Sequence, residues 1–141
     1  MHVRGLAWPL VLLLAAFAAR RRLDVVAVRG RSMAPTLLPG DLLLVVRAAR
    51  SPRVGDVVLA HDPRDARREL IKRVEAIGAR GVRLAGDNAA GSTDARSFGP
   101  IAAEAVRWRV MARYWPPRRI GLISGLSRGR PPRGVRPPPT C

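Results

Sequence analysis

Apolar residues along this chain fall into several short runs separated by turn residues, and one longer run near the N-terminus. The short runs are rich in Val and Leu and are bounded by Gly, Pro, Asp or Asn, which is typical of β-strands. Residues 81–86 alternate strictly between apolar and polar positions, as a half-buried strand does. A helical period is confined to one turn around residues 101–105. We therefore predict a mainly β domain with strands at residues 23–28, 42–46, 56–60, 70–74, 81–86 and 106–115.

The longer apolar run, residues 5–19, contains no charged residue. As a helix it would be about 22 Å long, which is shorter than the roughly 30 Å hydrocarbon core of a bilayer. We favour a single-pass membrane anchor; the alternatives are a buried helix and a cleaved signal peptide, which the small residues Ala16 and Ala18 indicate. More arginines follow the run than precede it. The positive-inside rule would therefore place the rest of the chain in the cytoplasm, and the side of the membrane stays open.

The chain divides into three parts by composition. Residues 1–22 form the apolar anchor, residues 23–117 the globular part, and residues 118–141 a segment rich in Pro, Gly, Ser and Arg. This last segment has too little apolar content to form a core, so we predict a disordered basic tail. The globular part is long enough for one domain, which we expect to be a monomer.

The net charge of the chain is strongly positive, at +16. Such a charge favours an anionic partner, either a membrane surface or nucleic acid, although the near absence of lysine indicates a general bias toward arginine. Nucleic acid is not expected, because Trp108, Tyr114 and Trp115 cluster instead of alternating with a basic stripe. No metal or other cofactor is predicted, because the two histidines and the single cysteine, Cys141, lack a metal-ligand spacing.

Two residues carry the candidate chemistry, Ser32 and Lys72. Ser32 lies beside glycine- and proline-marked turns, so it is either a turn residue or a nucleophile that needs a base. His61 is a poor base because it lies in a charged, loop-like segment. Lys72 is the only lysine of the chain, and strict strand alternation puts it on one face with Leu70 and Val74. On the core side its amine would be desolvated and could accept a proton; on the outer side it would be an ordinary solvated lysine.

Five short motifs follow one another along the chain. They are Ser-Met-x-Pro-Thr-Leu, a Gly-Asp that leads into an apolar strand, Val-Gly-Asp-Val-Val, Lys-Arg-Val, and Gly-Asp-Asn followed by Ser-x-Asp-x-Arg-x-Phe-Gly-Pro. In this order they resemble the signal peptidase I family of serine peptidases. The resemblance implies a signal peptidase-like all-β peptidase domain, a fold related to that of self-cleaving repressors. It also implies a membrane-associated serine endopeptidase that removes an N-terminal leader or signal peptide from a precursor protein.

The same resemblance assigns roles to individual residues. It implies that Ser32 is the nucleophile, that Lys72 is the general base, and that Ser92 orients the lysine. Some family members carry a serine two residues before the nucleophile as the second oxyanion donor. Here that position is Gly30, so the second donor is unassigned. The resemblance also implies a bracing ion pair beside the site, formed by Asp94 and Arg96.

The expected substrates are precursors with small residues before the cut. Ala95 stands where the family usually has serine, so one bracing hydrogen bond is expected to be missing. The chain has no large insertion between its strands and is similar in this to the mitochondrial inner membrane peptidases and to the maturation proteases of nickel-type superoxide dismutase. The alternative function is a non-enzymatic, basic, membrane-tethered module that binds anionic lipid or nucleic acid.

Overall fold

The computed structural model describes residues 7–88, 90 and 99–123, and shows one N-terminal helix and a seven-stranded sheet. Helix α1 spans Ala7–Arg20, and short 3₁₀ turns lie at Ala103–Ala105 and Pro117–Arg119. The predicted mainly β fold is therefore confirmed. The strands are β1 (Leu23–Ala27), β2 (Leu42–Arg47), β3 (Val57–Asp62), β4 (Asp65–Gly78), β5 (Gly81–Ala85), β6 (Val106–Trp115) and β7 (Gly121–Leu122).

The sheet is antiparallel in every strand pair and has the order β1-β2-β6-β3-β4-β5, with β7 added beside β6. Strand β4 is long enough to serve two neighbours. Its first half pairs with β3 up to Arg73, and its second half, from Arg73 to Gly78, pairs with β5. Following the antiparallel pairs across the sheet, β1 and β4 run in the same direction.

Two apolar clusters form the core. The first contains Met33 and Leu37 from the loop between β1 and β2, packed with residues such as Val45 and Val110. The second lies around the β3–β4–β5 ladder and includes Val58 and other residues of these strands. Each fully buried side chain of this size stabilises the fold by about 1.5–3 kcal/mol. The loop after β1 is therefore anchored in the core rather than lying loosely on the surface.

The segment around His61 differs from the sequence prediction. It was expected to be a loop because it is rich in charge, but β3 continues through His61 to Asp62 and β4 begins at Asp65. The Asp62 carboxylate closes the hairpin, because it accepts hydrogen bonds from the backbone N–H and the guanidinium of Arg64. A charged sequence here codes for a tight turn between two strands.

The C-terminal part of the sheet also differs from the prediction, which began a disordered tail at residue 118. Residues 117–119 form a 3₁₀ turn, and Gly121 and Leu122 pair with β6. The backbone N–H of Ile123 then donates to Met111 O at 2.9 Å. Residues 118–123 are therefore part of the folded domain, and the rest of the predicted tail lies outside the described residues.

Helix α1 lies within the predicted anchor and exposes its apolar side chains, among them Trp8, Leu12 and Phe17. Within the residues that the structure describes, no helix is both long and apolar enough to cross a membrane. The helix ends at Arg20, where the cation of Arg21 stacks over the Phe17 ring at 4.5 Å.

Candidate active site

Ser32 and Lys72 both line an open groove of about 900 Å³. One wall is formed by residues 24–33 and the other by the first half of β4, with Leu59 and Trp108 between them. Because β1 and β4 run in the same direction, Ser32 and Lys72 lie at the same end of the groove. The structure thus brings together the two residues that the sequence paired.

Lys72 lies on the buried face of β4. Its side chain is 2% exposed, Leu70 and Val74 on the same face are also buried, and its direct partner on β3 is the buried Val58. The predicted alternation of this strand is confirmed, and of the two sides that the sequence left open for Leu70, Lys72 and Val74, the structure shows the core side. Lys72 is therefore a buried residue of the strand that forms one wall of the groove.

Ser32 begins a tight turn that continues to Thr36. The backbone N–H of Leu37 donates to Met33 O at 2.9 Å, which closes one helix-like turn directly after the serine. Met33 is 1% exposed and Leu37 is fully buried, so both side chains hold the turn against the first core cluster. Ser32 itself is partly exposed toward the groove. The local sequence therefore fixes the backbone around the serine and leaves its side chain accessible.

The segment after β5 is bound to the Ser32 turn. The backbone N–H of Asn88 donates to Ser32 O at 2.9 Å, and the Asn88 side-chain amide donates to Arg31 O at 3.1 Å. The Gly-Asp-Asn motif thus contacts the Ser32 turn through its asparagine. The sequence showed this motif, but it gave no partner for Asn88.

A second contact that the sequence did not predict connects β4, the strand of Lys72, with the segment after β5. Arg73, next to Lys72, forms a two-pronged ion pair with Asp87, with nitrogen–oxygen distances of 2.8 and 2.7 Å. Burial raises the pKa of the Asp87 carboxyl, but hydrogen bonds from Arg73 and from the Thr36 side chain outweigh it and hold that pKa below its usual value. Thr36 belongs to the Ser32 turn, so Arg73 and Asp87 connect the strand of the lysine with the turn of the serine.

The other predicted site residues have different outcomes. Gly30 is exposed, and a side chain placed there would meet no atom within 4 Å, so the position has room for the serine found in some family members. Ser92, Asp94 and Arg96 lie outside the described residues. Their predicted roles, and that of Ala95, stay predictions.

The groove, the serine turn and the buried lysine lie almost entirely within one region of family similarity. Residues 3–85 match the family described as signal peptidase, peptidase S26. The chain belongs to this family. The matched region contains Ser32 and Lys72 and ends just before the Gly-Asp-Asn motif.

Several relatives share this similarity over most of their length. The chain is 33% identical to the mitochondrial ATP-independent inner membrane protease subunit 1a of Arabidopsis thaliana, over 68% of this chain and 73% of that protein. It is 36% identical to the mitochondrial inner membrane protease subunit 1 of Schizosaccharomyces pombe, over 62% and 70%. It is 30% identical to subunit 1 of Homo sapiens, over 74% and 77%. These relatives give no support to the nickel superoxide dismutase subgroup.

Proposed function

We propose that this chain is a membrane-associated serine endopeptidase in which Ser32 and Lys72 form a catalytic dyad, and that it removes an N-terminal leader or signal peptide from a precursor protein. The observation that carries the proposal is the common groove. It is lined by an accessible serine and, at the same end, by the only lysine of the chain, which is 2% exposed.

Burial suits Lys72 to the role of general base. Desolvation disfavours the ammonium form relative to the neutral amine, and only the neutral amine can accept a proton. An arginine at this position would stay protonated and could not serve. This gives a chemical reason for the single lysine, at position 72, in a chain that has 25 arginines.

The proposed reaction has two stages. First, neutral Lys72 takes the hydroxyl proton as Ser32 Oγ attacks the scissile carbonyl carbon, and the Ser32 backbone N–H stabilises the resulting oxyanion. The Lys72 ammonium then gives that proton to the leaving amine, which frees the mature protein and leaves the leader as an ester on Ser32. Water then attacks this ester while Lys72 accepts its proton. Lys72 passes that proton to Ser32 Oγ as the ester bond breaks, which releases the leader as a carboxylic acid and restores Ser32 and the neutral amine.

The remaining family residues complete the proposal. Ser92 would orient the Lys72 amine, and the ion pair of Asp94 and Arg96 would brace the segment that carries Ser92. The substrate would lie extended in the groove with small residues before the cut. Among the described strands, β1 and the first half of β4 each have a neighbour on one side only, so their backbone groups are available to an extended peptide.

Two observations support membrane association. Helix α1 exposes a continuous set of large apolar side chains, including Leu10, Leu13 and Leu14, which is unusual for a surface in contact with water only. The relatives are also named as inner membrane proteases. Whether the apolar N-terminal run acts as a single-pass anchor stays part of this proposal.

The proposal is tested with Ser32→Ala and Lys72→Arg in the full chain, held in detergent micelles. The substrate is a fluorogenic peptide with alanine at the first and third positions before the cut. We expect each variant to lower kcat/KM by at least about a thousandfold. The wild-type rate should rise with pH as the base loses its proton, whereas Lys72→Arg should lack this rise.

Arg80→Lys is the matched control, because it exchanges the same two residue types at an exposed position in the turn between β4 and β5. Its activity should equal that of the wild type. Thermal unfolding of all variants checks the fold. Full activity of folded Lys72→Arg would exclude lysine as the base, and full activity of Ser32→Ala would exclude the serine mechanism.

A further inference from the structure

Asp41, directly before β2, is a buried carboxylate whose two oxygens are both engaged. Its side chain is 3% exposed. Oδ1 accepts a hydrogen bond from Arg119 Nη1 at 3.2 Å, and Oδ2 accepts from Arg113 Nη1 at 3.3 Å and from the backbone N–H of Leu38 at 2.9 Å. Two guanidinium groups therefore converge on one acid in the interior, where such pairs are strong only when well hydrogen-bonded.

The same two arginines also hold the Ser32 turn. Arg113 Nη1 donates to Thr36 O at 2.8 Å, and Arg119 Nη2 lies 3.4 Å from Pro35 O and 3.5 Å from Thr36 O. These carbonyls are at the end of the turn that Ser32 begins. Carbonyls at such an end have no partner within the turn itself, and arginine side chains can supply one.

Arg119 comes from the C-terminal 3₁₀ turn, which lies outside the family match and outside the predicted peptidase domain. Its position is nevertheless well defined. Arg113 Nε donates to the Arg119 backbone oxygen, and Arg113 pairs with Gly121 of β7. The last described strand thus places Arg119 against the nucleophile loop.

We propose that Arg119, acting with Arg113 and Asp41, is a positioning residue for the Ser32 nucleophile. The proposal rests on the proposed function of Ser32. Asn88 holds the start of the turn at Arg31 and Ser32, and Asp87 and the two arginines hold its far end at Thr36, so the serine lies in a turn that is fixed at both ends. Because a misplacement of about 1 Å can lower a rate by about 100-fold, release of the far end should slow acylation without removing any reacting group.

The test compares Arg119→Gln with Arg118→Gln, its exposed neighbour in the same 3₁₀ turn. Measurements are kcat and KM for the fluorogenic peptide and the rate at which a fluorophosphonate labels Ser32. For Arg119→Gln we expect kcat and the labelling rate to fall together by about 10- to 100-fold, with KM within about twofold of wild type. The pH profile should keep its midpoint, and Arg119→Lys should restore part of the rate. Arg118→Gln should behave as wild type.

Each other outcome overturns the proposal in a distinct way. Wild-type kcat in Arg119→Gln, with Ser32→Ala inactive, would reject the positioning role and leave the dyad intact. A raised KM with unchanged kcat would make Arg119 a substrate contact instead. An active Ser32→Ala would reject the proposed function itself.

A folding defect in Arg119→Gln is separated from positioning by the double variant Asp41→Asn/Arg119→Gln. This variant removes one charge of each sign, so the net charge of the cluster stays that of the wild type, with Arg113 as the remaining ion. The proposal requires that it fold and still label slowly. A folded double variant with wild-type labelling would reject the proposal.

Discussion

The chain uses the same kind of four-residue turn twice, at residues 38–41 and 53–56, with different first two residues and different surroundings. Both have a glycine in the third position, Gly40 and Gly55, with φ of 92° and 93°. Both end in an aspartate whose carboxylate accepts a hydrogen bond from the backbone N–H three residues earlier, at 2.9 and 3.0 Å. We call them the first and the second Gly-Asp turn.

Each turn also exchanges two backbone hydrogen bonds with a valine. The first turn bonds to Val28 at 2.9 Å in both directions, and the second to Val74 at 2.8 Å in both directions. Val28 precedes Ser32 by four residues, and Val74 follows Lys72 by two. The same kind of turn therefore fixes the backbone near each member of the proposed dyad.

The difference lies in what meets the two carboxylates. Asp41 is held by Arg113 and Arg119, which are 14% and 30% exposed and which also reach the serine turn. Among the described residues, Asp56 has only Arg50 as an ion-pair partner, at 3.2 Å, and Arg50 is 35% exposed. The local sequence therefore determines the turn, while arginines far along the chain determine whether its aspartate is connected to other parts of the fold.

The largest predicted difference between the turns concerns their aspartates. Asp41→Asn should lower the free energy of unfolding by about 3 kcal/mol, because it leaves the largely buried guanidinium of Arg113 and the partly exposed one of Arg119 without their carboxylate. Asp56→Asn should cost about 1 kcal/mol or less, because Arg50 is solvated and its ion pair is screened. Urea unfolding measures both. Equal losses would show that the two arginines contribute nothing at Asp41 beyond the turn itself.

The second prediction concerns what the two turns share. Gly40→Ala and Gly55→Ala should each lower the free energy of unfolding by about 1–2 kcal/mol, because both positions need a positive φ that a side chain disfavours. Gly78→Ala is the control: it has no positive φ, and an added Cβ there would meet no atom within 4 Å. Urea unfolding of the three variants tests this. A cost at Gly40 well above that at Gly55 would mean that the turns differ in local geometry after all.

Sequence reasoning reached the features that depend on near neighbours. The alternation around Lys72 predicted which residues share its face, although not that this face is buried. Turn residues predicted most strand limits, because both features depend on a few adjacent positions. The serine and lysine were paired from chemistry and motif order. His61 shows where this fails: its charged surroundings indicated a loop, yet Asp62 makes a turn that lets both strands continue.

The contacts around Ser32 and Lys72 could not be predicted, because they join residues distant in sequence. Asp41 and Arg119 are 78 positions apart, and nothing local distinguishes Arg119 from the exposed Arg118 beside it. The Pro- and Arg-rich composition after residue 117 indicated disorder, but backbone pairing of Gly121 and Leu122 with β6 orders the segment. This pairing depends on a free edge of β6 in the folded sheet, and the composition of the segment does not indicate such a partner.

The smallest predicted effect concerns the link between the two turns. Arg73 Nη1 donates to the second turn at Gly55 O at 2.9 Å, and its ion pair with Asp87 reaches the Ser32 turn through Thr36. The pKa of Asp87 is lower in the folded protein than in the unfolded chain, since its hydrogen bonds from Arg73 and Thr36 outweigh the effect of burial. The folded state therefore binds fewer protons at this site.

It follows that Asp87 stabilises the fold above its unfolded pKa of about 3.9, and that this contribution is lost as the pH falls through its lowered folded pKa. Asp62 titrates in the same range, because Arg64 lowers its pKa to about 2, so the two must be separated. Between pH 7 and pH 2.5, the free energy of unfolding measured with urea should fall less steeply in Asp87→Asn than in the wild type. The same measurement on Asp62→Asn gives the part of the decline that comes from Asp62 in the β3–β4 hairpin. If Asp87→Asn keeps the full wild-type slope, the link between the turns carries no charge-dependent stability, and the two turns act independently.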